Sequence, residues 1–409
     1  MALLSLDDAL QSLREAVTPW TAAHSESVST FDALGRVLAE DVVSLLDVPP
    51  ADNSAMDGYA LRACDVPQEG TVLPVSQRIA AGHLGEALQP GTAARIFTGA
   101  FVPAGADAVV MQERCEALGE SSVRINMLPQ AGQAVRRRSE DVAQGAAVLA
   151  RGTRLTPQAL GLAASVGAAH LQVMRRPRVA LFSTGDELVM PGEPLRPGAI
   201  YNSNRFTLRA LLQAAGCEVL DLGIVPDQLD ATRAALRQAA ADCDLIISSG
   251  GVSVGEEDHV KAAMQAEGRL QLWQLAIKPG KPLAFGAMRR AEVSAGEAWF
   301  LGLPGNPVSS FVTFLLAART LLRRLQGMDA SLPPGLPLRA DFSWPRADKR
   351  REFLRARVNA QGAAELFKNQ GSGVLTSAVW GDGLVDNPAG SVIAPGDTVR
   401  FIPFSELMN

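Results

Sequence analysis

The sequence predicts a multidomain α/β protein with additional β modules, and three observations carry that prediction. Strands alternate with helices from Arg178 to Leu325, the pattern of a mainly parallel sheet covered on both faces. A run of short β-like segments rich in Gly and Pro interrupts the first 177 residues. Short strand-like runs divided by Gly and Asp resume beyond the segment SLPPGLP at 331–337, as in a small all-β domain. A chain of 409 residues is also too long for one compact core, which favours two to four domains.

The first helix begins after Ser5, which can cap it, with Asp8 at the capping-box position and Leu6, Leu10, Leu13 and Val17 on one stripe. Pro19 stops it. Thr156-Pro157 opens a second helix that ends near Gly167. Between them, residues 50–142 read as an inserted β-rich module, with strand-like Ala108–Gln112 and the closing basic run Arg136-Arg137-Arg138. Residues 1–49 and 143–177 then form a discontinuous N-terminal domain. The α/β domain, 178–327, starts with the strand VALFS. A helix follows from Ser203 or Asn204 to Ala215, ended by Gly216, then strand Glu218–Leu222, a helix from Ala231 to Ala240, and the buried-type strand DLIISS. A helix near Asp258, strands around Leu270–Ile277, Leu283–Phe285 and Trp299–Leu303, and a long apolar helix to Leu325 complete it; Asn306 is its expected N-cap and Pro307 its first residue. Residues 328–409 form the C-terminal domain.

Composition narrows the function. Hydrophobic residues at 47% and charged residues at 20% fit a soluble globular protein, and no apolar run reaches the roughly 18 residues of a bilayer span. The N-terminus lacks a basic leader and a cleavage site, so a cytoplasmic location is expected and no membrane partner. Cys64, Cys115, Cys217 and Cys243 lie far apart and the 4 histidines are scattered, which disfavours a zinc or redox motif and leaves a hard cation on carboxylates. A net charge of −5 offers no field for nucleic acid, so an anionic ligand needs a local basic or glycine-lined pocket.

SSGGVSVGEEDHV (248–260) follows a buried strand and precedes a helix, where a glycine-rich turn exposes backbone N–H groups to a phosphate. Ser248, Ser249 and Ser253 add hydroxyls; Gly250, Gly251 and Gly255 supply the bends. Ligands of open α/β sheets bind outside the carboxyl ends of the strands, and this loop lies there. Thr184-Gly185-Asp186-Glu187 and Leu303-Pro304-Gly305-Asn306-Pro307 end two further strands of the same sheet. Asp186, Glu187 and Asp258 could together hold magnesium against phosphate oxygens. Lys278-Pro279-Gly280-Lys281 sets two ammonium groups on a stiff turn, suited to a tetrahedral dianion or a nucleotide phosphate. For each of these loops the alternative is a structural turn without a ligand. DNSAMDGYA (52–60) resembles a ligand-facing loop, and RIFTGA (95–100) and RRRSED (136–141) share its module, although Met56 and Tyr59 also suit packing and the triple Arg a solvated face.

DNSAMDGYA, RIFTGA, RRRSED, STGDEL, SSGGVSVGEED, AIKPGKP and LPGNPVS, in this order, resemble the molybdopterin molybdenumtransferases of the MoeA type, similar to the C-terminal domain of gephyrin, from about residue 3 to the C-terminus. The resemblance implies an elongated four-part subunit with a three-layer α/β domain and a C-terminal β-barrel. It implies a homodimer whose cleft lies between the α/β domain of one subunit and the β module of the other. It places Asp57, Thr98, Asp141, Glu187, Asp227, Asp258, Pro304 and Pro307 on functional positions, and Lys278, Lys281, Arg355 and Ser372 around an anion or pterin site. The stretch YNSN (201–204) carries Asn202 where an Asp is common, so Asn202 is left out of the expected site. REFLRA and NQGSG alone carry the match in the C-terminal quarter. The implied reaction inserts molybdate into adenylylated molybdopterin with release of AMP, using Mg2+. Molybdopterin adenylyltransferase and apo-molybdoenzymes or their chaperones are the implied partners. Two other readings stand beside it: adenylylation of molybdopterin by ATP on a related fold, disfavoured by the DNSAMDGYA module, and a non-catalytic dimeric scaffold, which no linker or second enzymatic domain supports.

Overall fold

The computed structural model describes residues 3–251, 259–290 and 296–408. The chain divides into two compact units, Met1–Glu26 with Gly35–Val37 and Met174–Asn409, and Ser27–Leu34 with Leu38–Val173. In chain order, the first unit contains α1 (Leu6–Ala16), β1 (Arg178–Thr184), α2 (Ser203–Ala214), β2 (Glu218–Val225), α3 (Leu229–Asp242), β3 (Leu245–Ser249) and α4 (His259–Glu267). It continues with β4 (Gly268–Gln274), β5 (Ile277–Lys278), β6 (Pro282–Arg289), β7 (Glu297–Leu303), α5 (Pro307–Thr313) and α6 (Arg319–Leu325). The last strands are β8 (Leu336–Arg339), β9 (Arg351–Val358), β10 (Ala364–Leu366), β11 (Gly383–Asn387) and β12 (Thr398–Pro403). Among the described residues no helix is long and apolar enough to cross a membrane.

The central sheet has the order β2-β1-β3-β7-β6-β4. Its first four strands are parallel, as expected, while β6 and β4 add an antiparallel edge. Strands β1 and β3 are buried along almost their whole length, which is why VALFS and LIISS read as continuous apolar runs rather than alternating ones. Phe182, Ile246 and Phe300 of the sheet pack with Leu236 of α3 and Val260 and Met264 of α4 in one core. Helix α2 packs against β1, β2 and α5. Asn202 caps α2 by accepting from the Arg205 N–H at 3.1 Å. The helix closes where Gly216 takes φ +80° and the Cys217 N–H reaches Leu212 O at 3.0 Å, the glycine stop expected from sequence. The Ser5 cap of α1 is also present, accepting from the Asp8 N–H at 3.1 Å. The long apolar helix differs in one respect: a π-type segment, Phe314–Ala318, separates α5 from α6.

The C-terminal strands form a second mixed sheet, β5-β9-β11-β12-β8, with β10 on the other edge of β9. An isolated bridge between Ala340 and Ala364 joins the chain after β8 to β10. Leu354, Val385 and Phe401 fill its core.

The second unit holds a six-stranded sheet in the order Ala108–Met111, Gly58–Leu61, Ala93–Ile96, Thr71–Ile79, Ser122–Ile125, Cys115–Ala117. Tyr59, Leu61 and Val110 enter one core while Ala60, Ile96 and Val109 enter another, the two-residue period of a sheet buried on both faces. Gly58 is required by close approach: a Cβ there would lie 2.0 Å from Val110 O. Val48 and Val142 exchange backbone hydrogen bonds of 2.7 and 3.1 Å where the chain enters and leaves this sheet. The Asp47 carboxylate reinforces that neck, accepting from Gln144 N–H at 2.8 Å and Arg138 Nε at 2.6 Å.

The Gln144 N–H, then the Ser139 hydroxyl and Arg138, lower the Asp47 pKa from 3.8 to about 2. A carboxyl whose folded pKa is depressed contributes stability in full above its unfolded value, and that stability is lost as pH falls through the folded one. The expected result is that Asp47→Asn unfolds at lower temperature than wild type near pH 7. The gap closes as pH falls from about 4 to about 2, read as melting temperature against pH.

Candidate active site

The carboxyl ends of β1, β2, β3 and β7 open onto a cavity of about 930 Å³, lined among others by Thr184, Glu187, Asn204, Asp227, Ser249 and Asn306. The chain passes from β1 to β2 on one side and then from β2 across β1 to β3 on the other, so the crevice sits where the strand order reverses. Its volume suits a ligand of nucleotide or pterin size, since small-molecule sites span roughly 300–1,000 Å³.

The turn after β3 depends on two consecutive glycines. Gly250 takes φ +90° and Gly251 φ +66°, and Cβ atoms there would fall 2.8 Å from Thr184 O and 2.4 Å from Val260 Cγ2. Both glycines line the cavity. Ser248, expected in the site, is fully buried; Ser249 lines the cavity instead. In a strand covered on both faces the sequence offers no alternation to separate the two serines. Ser253, Gly255 and Asp258 lie outside the described residues.

Asn204, in the first turn of α2, ties the loops after β3 and β7 together. Its Nδ2 donates to Ser249 Oγ at 2.8 Å and to Gly305 O at 2.7 Å. Asn202 lines the same wall, and its buried Nδ2 has no partner among the described residues. Sequence reasoning left out Asn202, Asn204 and Ser309; the YNSN run ahead of a helix was the available signal for the first two.

After β7, Pro304 is buried and Pro307 starts α5, and both line the cavity. Asn306 occupies the cap position but its side chain makes no capping bond. The Val308 N–H is met by the Ser372 carbonyl at 2.9 Å, which leaves the Asn306 carboxamide on the cavity wall. Ser372 thus reaches the site through its backbone.

Glu187 and Asp227 bring carboxylates to the cavity. Gly185, at φ +144°, has the Glu187 carboxylate folded over it; a Cβ would lie 2.5 Å from Glu187 Oε2. Asp186 is exposed beside the cavity rather than lining it, and its carbonyl accepts from the Arg196 guanidinium. Among the described residues no three His, Cys, Asp or Glu side chains gather into a metal cage. Asp186 and Glu187 fit a magnesium ion of the kind held by one or two carboxylates and completed by substrate phosphates and water.

Two basic positions need correction. Lys278 is not a free cation: its Nζ donates to Glu352 Oε1 at 3.0 Å and lies 3.4 Å from Asp348 Oδ2. Arg355 is fully buried, so it cannot meet a ligand at the surface. Its guanidinium donates to Ser377 Oγ at 3.1 Å, Phe353 O at 3.0 Å and Gly371 O at 3.4 Å. Burial pushes its pKa down to about 10, leaving a cation at neutral pH with no carboxylate among these partners. The Lys281 side chain is exposed, and its ammonium makes no hydrogen bond or ion pair among the described residues.

Asp57, Thr98 and Asp141 belong to the second unit. Asp57 Oδ1 accepts from both the backbone N–H and the hydroxyl of Thr98, each at 2.8 Å. These two bonds hold the Asp57 carboxyl below the usual carboxylate range. Arg95 lies over the Phe97 and Tyr59 rings, 4.7 and 5.1 Å from their centroids, and donates to Gly58 O at 3.0 Å, which steadies the loops carrying the pair. The Asp141 side chain is exposed.

Fold and site together define a multidomain chain with a polar, glycine-lined crevice at the switch point of an α/β sheet. Comparison with known proteins gives the family. Residues 4–167 match the MoeA N-terminal region (domain I and II), 180–324 a probable molybdopterin binding domain, and 337–404 the MoeA C-terminal region (domain IV). A molybdopterin molybdenumtransferase of Haemophilus influenzae is 40% identical over 99% of this chain and 100% of its own length. Molybdopterin molybdenumtransferase 2 of Mycobacterium tuberculosis is 40% identical over 88% and 90%. The crystal structure of a molybdopterin biosynthesis MoeA protein from Pyrococcus horikoshii superposes with a TM-score of 0.83 at 29% identity, covering 98% of this chain and 99% of that one. The chain belongs to the MoeA family of molybdopterin molybdenumtransferases.

Asn204→Ala leaves Ser249 Oγ without its donor and frees the Gly305 carbonyl. The buried Ser249 hydroxyl left unsatisfied costs about 1–3 kcal/mol, whereas Gly305 is exposed and its carbonyl is open to water. The variant is expected to melt several degrees below wild type and to bind adenylylated molybdopterin more weakly, read by calorimetric titration.

Proposed function

We propose that this protein transfers molybdenum from molybdate onto the dithiolene of adenylylated molybdopterin, with release of AMP. The observation that carries the reading is the switch-point cavity, whose walls are the family's own loops: Gly250-Gly251, Glu187 and Pro304–Pro307. Backbone groups of the Gly250-Gly251 turn and the carboxamides of Asn202 and Asn306 supply polar contacts for phosphates. Magnesium, held by Asp186, Glu187 and Asp258, would offset phosphate charge. Lys281 and the buried charge of Arg355 favour an oxyanion at the Pro282 and Ser309 end of the cavity.

In the reaction two thiol groups of the substrate take the place of one molybdate oxygen, which leaves as water with their protons. One water then cleaves the phosphoanhydride to give AMP and the phosphorylated cofactor. Asp57 or Asp141, delivered by the β module of a partner subunit, is the carboxylate for proton transfer to and from that water. Thr98 orients Asp57 and keeps it ionised. This reading makes the protein a cytoplasmic homodimer. Its subunits comprise a discontinuous N-terminal domain (1–49 and 143–177), an inserted β module (50–142), a three-layer α/β domain (178–327) and a C-terminal β-barrel (328–409). The bridge from Ala340 to Ala364 supports the barrel. Molybdopterin adenylyltransferase would supply the substrate, and apo-molybdoenzymes or their chaperones would receive the product.

The test is AMP release from adenylylated molybdopterin with and without molybdate and magnesium. Release that needs both is expected, and Asp258→Ala should lower it by about 100-fold or more, the scale of a lost acid–base or metal contact. Accumulation of adenylylated molybdopterin from ATP and molybdopterin would instead identify the adenylylation step.

A further inference from the structure

The two lysines of the Lys278–Lys281 loop have different surroundings. Ile277 and Lys278 form β5, which pairs in parallel with Arg351 and Glu352 of β9, so the loop is held on the edge of the C-terminal sheet. Glu352 is 1% exposed. One of its oxygens accepts from Lys278 Nζ, and the other from Trp344 Nε1 at 2.7 Å and Asn387 Nδ2 at 3.2 Å. Asp348, the second acid near Lys278, is already paired through both oxygens to Arg350, which holds its carboxyl well below the usual range. Lys278 is therefore the counter-charge of Glu352, and removing the half-exposed lysine leaves a buried carboxylate without its cation.

The rest of the loop is fixed with equal closeness. The Leu275 N–H reaches Lys281 O at 2.7 Å, and a Cβ on Gly280 would fall 2.5 Å from Thr313 Oγ1 of α5. Lys281 is left exposed next to Pro282, which lines the cavity with Ser309. We propose that Glu352 is a positioning residue: by fixing Lys278 it sets the loop so that Lys281 is the cation that meets the incoming tetrahedral oxyanion. The C-terminal domain thereby governs the oxyanion step. This rests on the molybdate-transfer reading, and the experiment separates the two.

Molybdate alone is titrated calorimetrically into full-length wild type and into Glu352→Gln, Lys278→Met, their double variant and Lys281→Met, with melting temperatures recorded in parallel. Glu352→Gln and Lys278→Met should each weaken molybdate binding about tenfold, and the double variant should be no weaker than either single one, as for two members of one unit. Lys281→Met should weaken it most, with the melting temperature unchanged. In turnover, Glu352→Gln should raise KM for molybdate with kcat altered less than about threefold, the mark of lost binding rather than lost chemistry. Should Glu352→Gln not fold, Lys278→Met carries the comparison. Wild-type affinity in folded Glu352→Gln or folded Lys278→Met overturns the proposal, as does weakening by Lys278→Met alone, which would make Lys278 the direct ligand. An additive double variant, or no molybdate binding by wild type, overturns it too. Molybdate binding without AMP release overturns the functional reading and leaves the positioning role standing.

Discussion

One carboxamide holds the crevice open. Parallel strands deliver their connecting loops to one edge, where backbone groups that no longer pair within the sheet need other partners. Asn204 supplies one to the Gly305 carbonyl and with the same amide holds the Ser249 hydroxyl at the end of β3. Its place is set by the start of α2, which Asn202 caps, and the Asn202 N–H is anchored to Val189 O at 3.0 Å in the loop that leaves β1. Three strand ends thus meet at one short segment. The glycines then follow as a consequence, since Gly250 and Gly251 must pass within van der Waals distance of Thr184 and Val260. A side chain at either would displace the turn from the wall it forms.

Charge is distributed just as locally. The protein carries −5 overall, so attraction of an oxyanion cannot come from its net field. An exposed ammonium such as Lys281 acts within the screening length, about 8 Å at physiological salt. Arg355, buried without a carboxylate partner, is screened far less and offers a steadier positive potential behind Gly371 and Ser372. Holding an unpaired buried cation is costly for a fold, and three hydrogen bonds offset only part of that cost.

Much of this was legible in the sequence. The buried runs VALFS and LIISS, the Gly216 stop, the Ser5 cap and the loops after β1, β3 and β7 are local signals, written within a few residues of where they act. What escaped was decided by partners distant in the chain. Lys278 and Lys281 look equivalent until Glu352, 74 residues on, neutralises one of them. Asn306-Pro307 has the sequence of a helix cap, yet the Ser372 carbonyl takes part of that duty and frees the side chain for the cavity. Arg355 reads as a surface cation because a buried arginine without an acid is rare, and no local pattern announces one.

These distant partners share one origin, the C-terminal sheet. It captures β5 as a strand, neutralises Lys278 through Glu352, and lends the Ser372 carbonyl to the start of α5. The three links fall at separate points along one end of the cavity, so a rigid-body shift of that sheet would disturb the basic loop and the Pro304–Pro307 turn together. Pieces of wall built on different sequence segments keep a fixed geometry only if something rigid spans them. Here the spanning element is a sheet whose own core, around Leu354, Val385 and Phe401, is packed independently of the cavity. The C-terminal domain is therefore part of the site's construction, and the loops of the α/β domain alone would not hold the arrangement described.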